Sequence, residues 1–262
     1  ADYKDARKDY TGKIVDEEAA VKSVGGEIAF TDDITFSSSS LINKYLPTLP
    51  PEVSNYLEGF SAKYSTDDIL RYLESARSLK VLVIGETIID EYQYCESIGK
   101  SSKEPVLATQ YLSTEKFAGG TLAVSNHVAN FCDNVGLLTF LGTEDTREDF
   151  VRQHVADNID KMFLYKKDSP TIVKRRFIDS YLLTKLFEVC VMNDKELAEA
   201  DSQTLCARLR DILPQYDLVI VVDYGHGMLN GDAVDVLCHQ ARFLAVNTQA
   251  NAGNRGYNTI YK

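Results

Sequence analysis

The residues of this chain that could do chemistry fall at the ends of apolar runs. Val81-Leu82-Val83-Ile84 ends at Gly85 and is followed by Glu86 and then Asp90. Ligands of an open α/β sheet bind beyond the carboxyl ends of its strands. A carboxylate placed there can accept two hydrogen bonds from hydroxyl groups. By spacing alone the same two acids read equally well as solvated loop residues. Gly119 and Gly120 stand directly before a helical pattern. Glycine permits positive φ and close backbone approach, and a helix N-terminus adds orphan N–H groups and partial positive charge. A double glycine also serves in ordinary turns. Asn126 and His127 lie one or two turns into that helix, Asn126 placed either to reach a ligand or to be satisfied on the helix. Lys174 and Arg176 alternate on an extended segment and so share a face, with Arg175 opposite. Two cations on one face suit a phosphate group, and they suit a solvated sheet face as well. Asp223 closes the run Val219-Ile220-Val221-Val222 and leads into Gly225-His226-Gly227. His226 either titrates near neutrality in a site or is a plain loop histidine.

Positioning these residues requires alternating strands and helices. Apolar runs predict strands at 80–88, 136–142, 217–223 and 242–247, and periodicity predicts helices at 120–134, 144–158, 197–213 and 230–240. Connections of this βαβ kind predict an α/β fold, a mostly parallel sheet with helices on both faces. Residues 92–117 and 171–191 fit no such layer; they read as extended, alternating strands of a small separate β-layer, of a size to be a lid. Upstream, Pro47, Pro50 and Pro51 mark a boundary. Residues 52–79 read as helical, most clearly from Ser65 to Lys80, with Ser65 or Thr66 as cap. Residues 1–46 read as a short helix (KIVDEEAAVKSVG), a strand (GEIAFTDD) and a serine-rich turn entering a helix (FSSSSLINKYL). The stretch 245–260, rich in Asn, Gln and Gly, reads as a hydrogen-bonding or simply flexible loop.

Composition narrows the partners. A net charge of −11 argues against nonspecific nucleic-acid binding, which depends on Lys and Arg neutralising phosphates. The Lys174-Arg175-Arg176 cluster still leaves room for a phosphorylated small molecule. No apolar run approaches the length of a membrane span, and the polar start ADYKDARKDY is no signal peptide. The expectation is a cytoplasmic protein with no membrane partner. The five cysteines lack CxxC spacing and read as buried small hydrophobes. The four histidines show no metal-site spacing with them.

Residues 80–262 resemble the PfkB (ribokinase-like) carbohydrate kinases, and within them the kinases that phosphorylate a heptose phosphate in ADP-heptose synthesis. The resemblance rests on VLVIGETIIDEY, SSKEPVLA, the FAGG turn with its helix, PTIVKRRFI, LVIVVDYGHG and AVNTQANAGN, in the family's order and spacing. It implies a ribokinase-like domain at 80–262, with lid strands near 92–117 and 171–191. It implies ATP and Mg²⁺ as cofactors and a sugar or sugar phosphate as substrate. Asp90 would hold sugar hydroxyls, Gly119 and Gly120 would let the backbone approach the sugar, and Asn126 would contact substrate. Lys174 and Arg176 would hold a phosphate already on the substrate, and Asp223 would lie near phosphate transfer. The family also implies homodimerisation through the lid. Residues 1–46 resemble the C-terminal end of a cytidylyltransferase-like nucleotidyltransferase, through YKDARKDYTGKI, GGEIAFTDD and TFSSSSLIN. That resemblance implies CTP or ATP as its nucleotide, with Ser37, Ser38 and Ser39 at the nucleotide phosphates. Residues 47–79 would then be a linker and helix.

The chain departs from the family's pattern in places. Thr121, Leu122, Ala123 and Val124 stand where the family carries an asparagine close to the double glycine; His226 replaces a lysine; Asn247-Thr248-Gln249 replaces Asp-Pro-Lys. No glycine-rich GAGD-type motif, which would supply the catalytic base and the anion hole, occurs in the chain. The upstream HxGH-type motif of the nucleotidyltransferase is also missing, and transferase precedes kinase, the reverse of the familiar bifunctional order. The expectation is a truncated kinase domain inside a bifunctional protein, inactive by itself, with the catalytic residue unknown. Two alternatives are a non-catalytic sugar-binding or scaffold module, and a protein in which only the nucleotidyltransferase half is active.

Overall fold

The structure, a computed structural model, describes residues 13–28 and 49–249. Ser37, Ser38 and Ser39, the FSSSSLINKYL segment, most of the GEIAFTDD strand and the loop beyond residue 249 lie outside the described residues. Backbone contacts divide the chain into two compact units, Ala1–Thr66 and Asp67–Lys262. In the first unit lie α1 (Ile14–Ser23) and α2 (Pro51–Lys63), the latter with proline in its first turn, where the missing N–H costs nothing.

The second unit begins with α3 (Thr66–Ala76), whose first turn carries Asp67 and Asp68, favourable against the helix dipole. It continues with β1 (Lys80–Gly85), β2 (Thr87–Lys100), β3 (Leu107–Gly120), α4 (Thr121–Val128), β4 (Asn134–Glu144), α5 (Glu148–His154) and β5 (Ile159–Pro170). Then come β6 (Ile172–Asp179), β7 (Thr184–Val191), α6 (Glu199–Ile212), β8 (Leu218–Asp223), α7 (Gly231–Gln240) and β9 (Leu244–Thr248).

Five strands form a wholly parallel sheet in the order β5-β4-β1-β8-β9. Its centre is β1, apolar at every inner position because both of its faces are covered. Val81 and Val83 pack on one side with Leu122 of α4 and Val151 of α5. Leu82 and Ile84 pack on the other with Leu205 and Leu209 of α6 and Leu237 of α7. This is the α/β fold expected, with helices on both faces. Each fully buried aliphatic side chain contributes about 1.5–3 kcal/mol. The strand β5 was not foreseen. It is an edge strand whose Lys161, Tyr165 and Lys166 interrupt the apolar run.

The other four strands form a second sheet, ordered β3-β2-β6-β7. Strands β2 and β3 pair antiparallel, β2 and β6 parallel, β6 and β7 antiparallel. The expected strand at 80–88 is thus two strands: Glu86 alone separates β1 in one sheet from β2 in the other, and Thr171 alone separates β5 from β6. The small sheet therefore rises directly from the carboxyl ends of the parallel strands. Among the cysteines, Cys95, Cys132 and Cys206 are buried as expected, whereas Cys190 and Cys238 are exposed. No helix among the described residues is long and apolar enough to cross a membrane.

Because Leu82 has no exposed surface and sits in the central strand, Leu82→Ala should lower the unfolding free energy by about 2–5 kcal/mol. Urea denaturation measures this, and a loss under about 1 kcal/mol would contradict the central placement of β1.

Candidate functional site

The site begins at Glu86, in the one-residue gap between β1 and β2. Its carboxylate is buried, and both oxygens accept backbone N–H groups from the loop after β8: Oε2 from Tyr224 and Oε1 from His226, each at 3.0 Å. Its own carbonyl accepts the N–H of Thr121, the first residue of α4, at 3.2 Å. Burial pushes the Glu86 carboxyl up; the two N–H groups oppose this and the nearby Asp223 charge adds to it. Glu86 therefore fastens the β8 loop, with both oxygens engaged by backbone rather than open to hydroxyl groups.

Asp90 lies four residues into β2, on the small sheet and not at the end of β1. Its Oδ1 accepts a hydrogen bond from Nη1 of Arg176 across β2 and β6. Its Oδ2 faces Gly119, where any Cβ would collide with it. Gly120 holds φ at +56° as the residue before α4, and a Cβ there would lie 2.8 Å from the Glu86 carbonyl. The double glycine thus lets the start of α4 press against Asp90 and Glu86.

Arg176 is fully committed. Besides Asp90, its Nε lies 2.7 Å from Oε2 of Glu188 on β7, an ion pair angled away from a hydrogen bond. Its guanidinium stands 5.4 Å over the Tyr92 ring. Burial works to lower the Arg176 pKa, but the bond to Asp90 and the Asp90 and Glu188 charges outweigh it and raise it. Lys174 shares this face, paired in register with Asp90 on one side and Cys190 on the other. No carboxylate among the described residues lies within ion-pair distance of Lys174. Arg175 points to the opposite face and pairs with Glu91 at 2.7 Å.

The loop after β8 faces this group. Asp223 accepts the Gly225 N–H through Oδ1 at 2.9 Å and the Thr248 hydroxyl through Oδ2 at 3.0 Å. His226 is 6% exposed, and its Nε2 has no hydrogen-bond partner among the described residues. Burial lowers the His226 pKa to about 4; the Lys174 charge adds to this, Asp194 opposes it and Lys166 adds again. Lys166, from the unforeseen β5, donates to the carbonyls of Asn193 and Lys195 at 2.6 Å each.

The fold therefore brings Asp90, Gly119, Gly120, Lys174 and Arg176 together, with Asp223 at the end of β8. Asn126 is not brought there. Its amide donates to the His154 carbonyl at 2.8 Å and accepts the Ala156 N–H at 2.9 Å, tying α4 to the end of α5. Sequence reasoning missed Glu188, Tyr92 and Lys166; strand alternation could have placed Glu188 and Tyr92 on a face, but their approach to Arg176 depends on strand register. Among the described residues no group of three or more His, Cys, Asp or Glu side chains is placed to hold a metal ion. Mg²⁺ asks less of a protein, commonly one or two carboxylates beside substrate phosphates, and Asp223 at the strand end is of that type.

Two outcomes follow from these contacts. A histidine whose pKa falls from 6.5 unfolded to about 4 folded leaves the unfolded state holding more protons between those values. Stability is then whole above pH 6.5 and is lost as pH falls toward 4, by up to about 3 kcal/mol. His226→Gln should flatten this acid limb in urea melts at a series of pH values, and an unchanged limb would count against a buried neutral imidazole. Asn126→Ala should cost about 1–3 kcal/mol of stability and leave ligand affinity within twofold of wild type, read by calorimetry; a tenfold weaker ligand would return Asn126 to the site.

Several known proteins are similar to this chain. No protein-family model matches it. The bifunctional protein HldE of Chromohalobacter salexigens is 30% identical over 175 residues, 66% of this chain and 34% of that protein. HldE of Haemophilus influenzae is 27% identical over 161 residues, 61% of this chain and 33% of its own length. HldE of Actinobacillus pleuropneumoniae is 26% identical over 182 residues, 69% and 37%. Among solved structures, phosphofructokinase-2 from Escherichia coli in complex with fructose-6-phosphate overlaps 66% of this chain and 56% of that chain, at 10% identity and a TM-score of 0.49. The chain spans about a third of the length of the curated relatives it matches. Over some two thirds of its own length, this chain is homologous to a segment of the bifunctional HldE proteins.

Proposed function

We propose that residues 80–262 belong to a carbohydrate kinase that transfers the γ-phosphate of ATP to a heptose phosphate, within a bifunctional protein of nucleotide-sugar synthesis. Residues 1–46 would be the C-terminal part of a nucleotidyltransferase using CTP or ATP, with Ser37, Ser38 and Ser39 at its nucleotide phosphates, and 47–79 a linker and helix. The observation that carries this reading is the pairing of a fixed carboxylate with an uncommitted ammonium on one face of the small sheet. Arg176 holds Asp90 in place against Gly119, while Lys174, beside Asp90 in register, has no carboxylate within ion-pair distance among the described residues. A sugar phosphate presents the complementary pair, hydroxyl groups and a dianion.

In this reading Asp90 accepts hydrogen bonds from sugar hydroxyls through the part of its carboxylate that Arg176 leaves open. Gly119 and Gly120 keep the wall of the site free of side chains. Lys174 contacts the substrate's phosphate. Arg176, already shared between Asp90 and Glu188, positions Asp90 rather than binding phosphate itself, which revises the sequence expectation of two phosphate-holding cations. Asp223 lies toward the transfer region at the end of β8. Bound Mg²⁺ would supply charge neutralisation on the transferring phosphates. The small sheet would act as the lid and as a surface for a homodimer, as its exposed Tyr111, Leu112, Phe187 and Val189 suggest.

Calorimetry with heptose, a heptose phosphate and inorganic phosphate tests the reading. Asp90→Asn, which keeps the side chain's shape, should weaken both sugars about tenfold or more. Lys174→Ala should weaken only the phosphorylated one. Equal affinity of wild type and Asp90→Asn for both sugars would overturn the assignment.

A further inference from the structure

Where the two sheets meet there is a cavity of about 30 Å³, lined among others by Glu86, Lys166, Thr171, Asn193, His226 and Met228. It sits at the crossing points of β1 into β2 and of β5 into β6. A space of that size admits one oxygen atom with its hydrogens, as a water molecule does. Its lining includes an imidazole nitrogen with no partner, Nε2 of His226, on a side chain that is 94% buried by its 6% exposure. An orphaned buried polar atom is costly and is normally satisfied by something.

The charges around His226 indicate what that partner is. Lys174 acts on it from β6, Lys166 from β5 and Asp194 from the segment after β7; Glu86, from the β1–β2 gap, accepts its backbone N–H. The Glu86 carboxylate is occupied at both oxygens by N–H groups. Lys166 has spent two of its N–H donors on carbonyls and, having three, keeps one. The groups left over are therefore basic: the ammonium of Lys174, the last N–H of Lys166 and Nε2 of His226, which donates once the ring is protonated.

We propose that His226, with Lys166 and Lys174, binds a terminal phosphate oxygen that enters the hinge cavity, so that the imidazole takes up a proton as the phosphate docks. The location rests on the kinase reading only in that it adjoins the same lid face. Two sources offer the same chemistry, the phosphate already on the sugar and the terminal phosphate of a nucleotide.

The test follows the His226 ring by nitrogen-detected NMR on the full chain, histidine-labelled, from pH 4 to 8, with His226→Gln assigning the signal. Inorganic phosphate should raise the ring pKa by about one unit or more, equivalent to about tenfold tighter binding to the protonated form. Lys174→Ala should shrink that rise several-fold while the free protein's titration persists. An unmoved His226 pKa at saturating phosphate overturns the proposal. If phosphate moves His226 but no sugar binds, the phosphate site stands and the kinase reading falls. If a heptose phosphate binds while neither it, inorganic phosphate nor a non-hydrolysable ATP analogue moves His226, the kinase reading stands and this proposal falls. A shift with the sugar phosphate assigns the site to the substrate, and a shift with a non-hydrolysable ATP analogue assigns it to the phosphate donor.

Discussion

One buried carboxylate holds the second unit's functional end together. Glu86 occupies the single residue between the central parallel strand and the first strand of the small sheet. Its side chain fixes the loop after β8, and its backbone carbonyl receives the first N–H of α4. Three separate elements thus converge on one residue, and the strand that carries Asp90 starts from it. Burying a carboxylate is expensive unless hydrogen bonds replace the lost water. Two backbone donors do so here, and they still leave its pKa raised. The cost fixes the geometry: if the β8 loop moved away, the carboxylate would be buried without donors, so the loop and the β1–β2 junction hold their positions together.

The small sheet applies the same logic to cations. Arg176 is shielded from solvent, flanked by Asp90 and Glu188 and stacked over Tyr92. A guanidinium presents five donors in a rigid planar fork and so can serve two carboxylates at once in a fixed geometry. The cluster is thereby locked, and the orientation of Asp90 with it. Lys174, two residues away on the same face, was left out of that network. The sheet separates two tasks that a row of cations merges in sequence: one cation positions an acid, the other is available to a ligand.

The layering was legible in the sequence because the parallel strands are continuous apolar runs, as in β1, β4 and β8, with helical patterns between them. The edge strand β5 was not legible, since an edge needs cover on fewer sides and tolerates Lys161 and Lys166 among its apolar residues. The switch at Glu86 was hidden for a different reason. Residues 80–88 read as one strand, and no local pattern marks the point where a chain leaves one sheet for another. Asp90 and the glycine pair were identifiable as site candidates from type and spacing, but the partners that define their roles lie far off, Arg176 being 86 residues beyond Asp90. Asn126 shows the converse: residue type and proximity to the glycine turn suggested a ligand, while its amide is consumed by the backbone at the end of α5.

The hinge between the sheets treats charge consistently. Burial pushes Glu86 toward its protonated form and His226 and Lys166 toward their neutral ones. Each shift has the same origin, desolvation, although the groups carry opposite signs. A region that penalises every charge it contains gains most from a ligand that supplies the missing counter-charge, because attraction between charges strengthens where water is excluded. The two basic side chains gain from an anion, opposed by Asp194 and by Glu86, whose two oxygens already accept backbone N–H groups. Through the one-residue crossings at Glu86 and Thr171, such a charge would bear on both sheets at once, and the small sheet would respond to it through the backbone that the two sheets share.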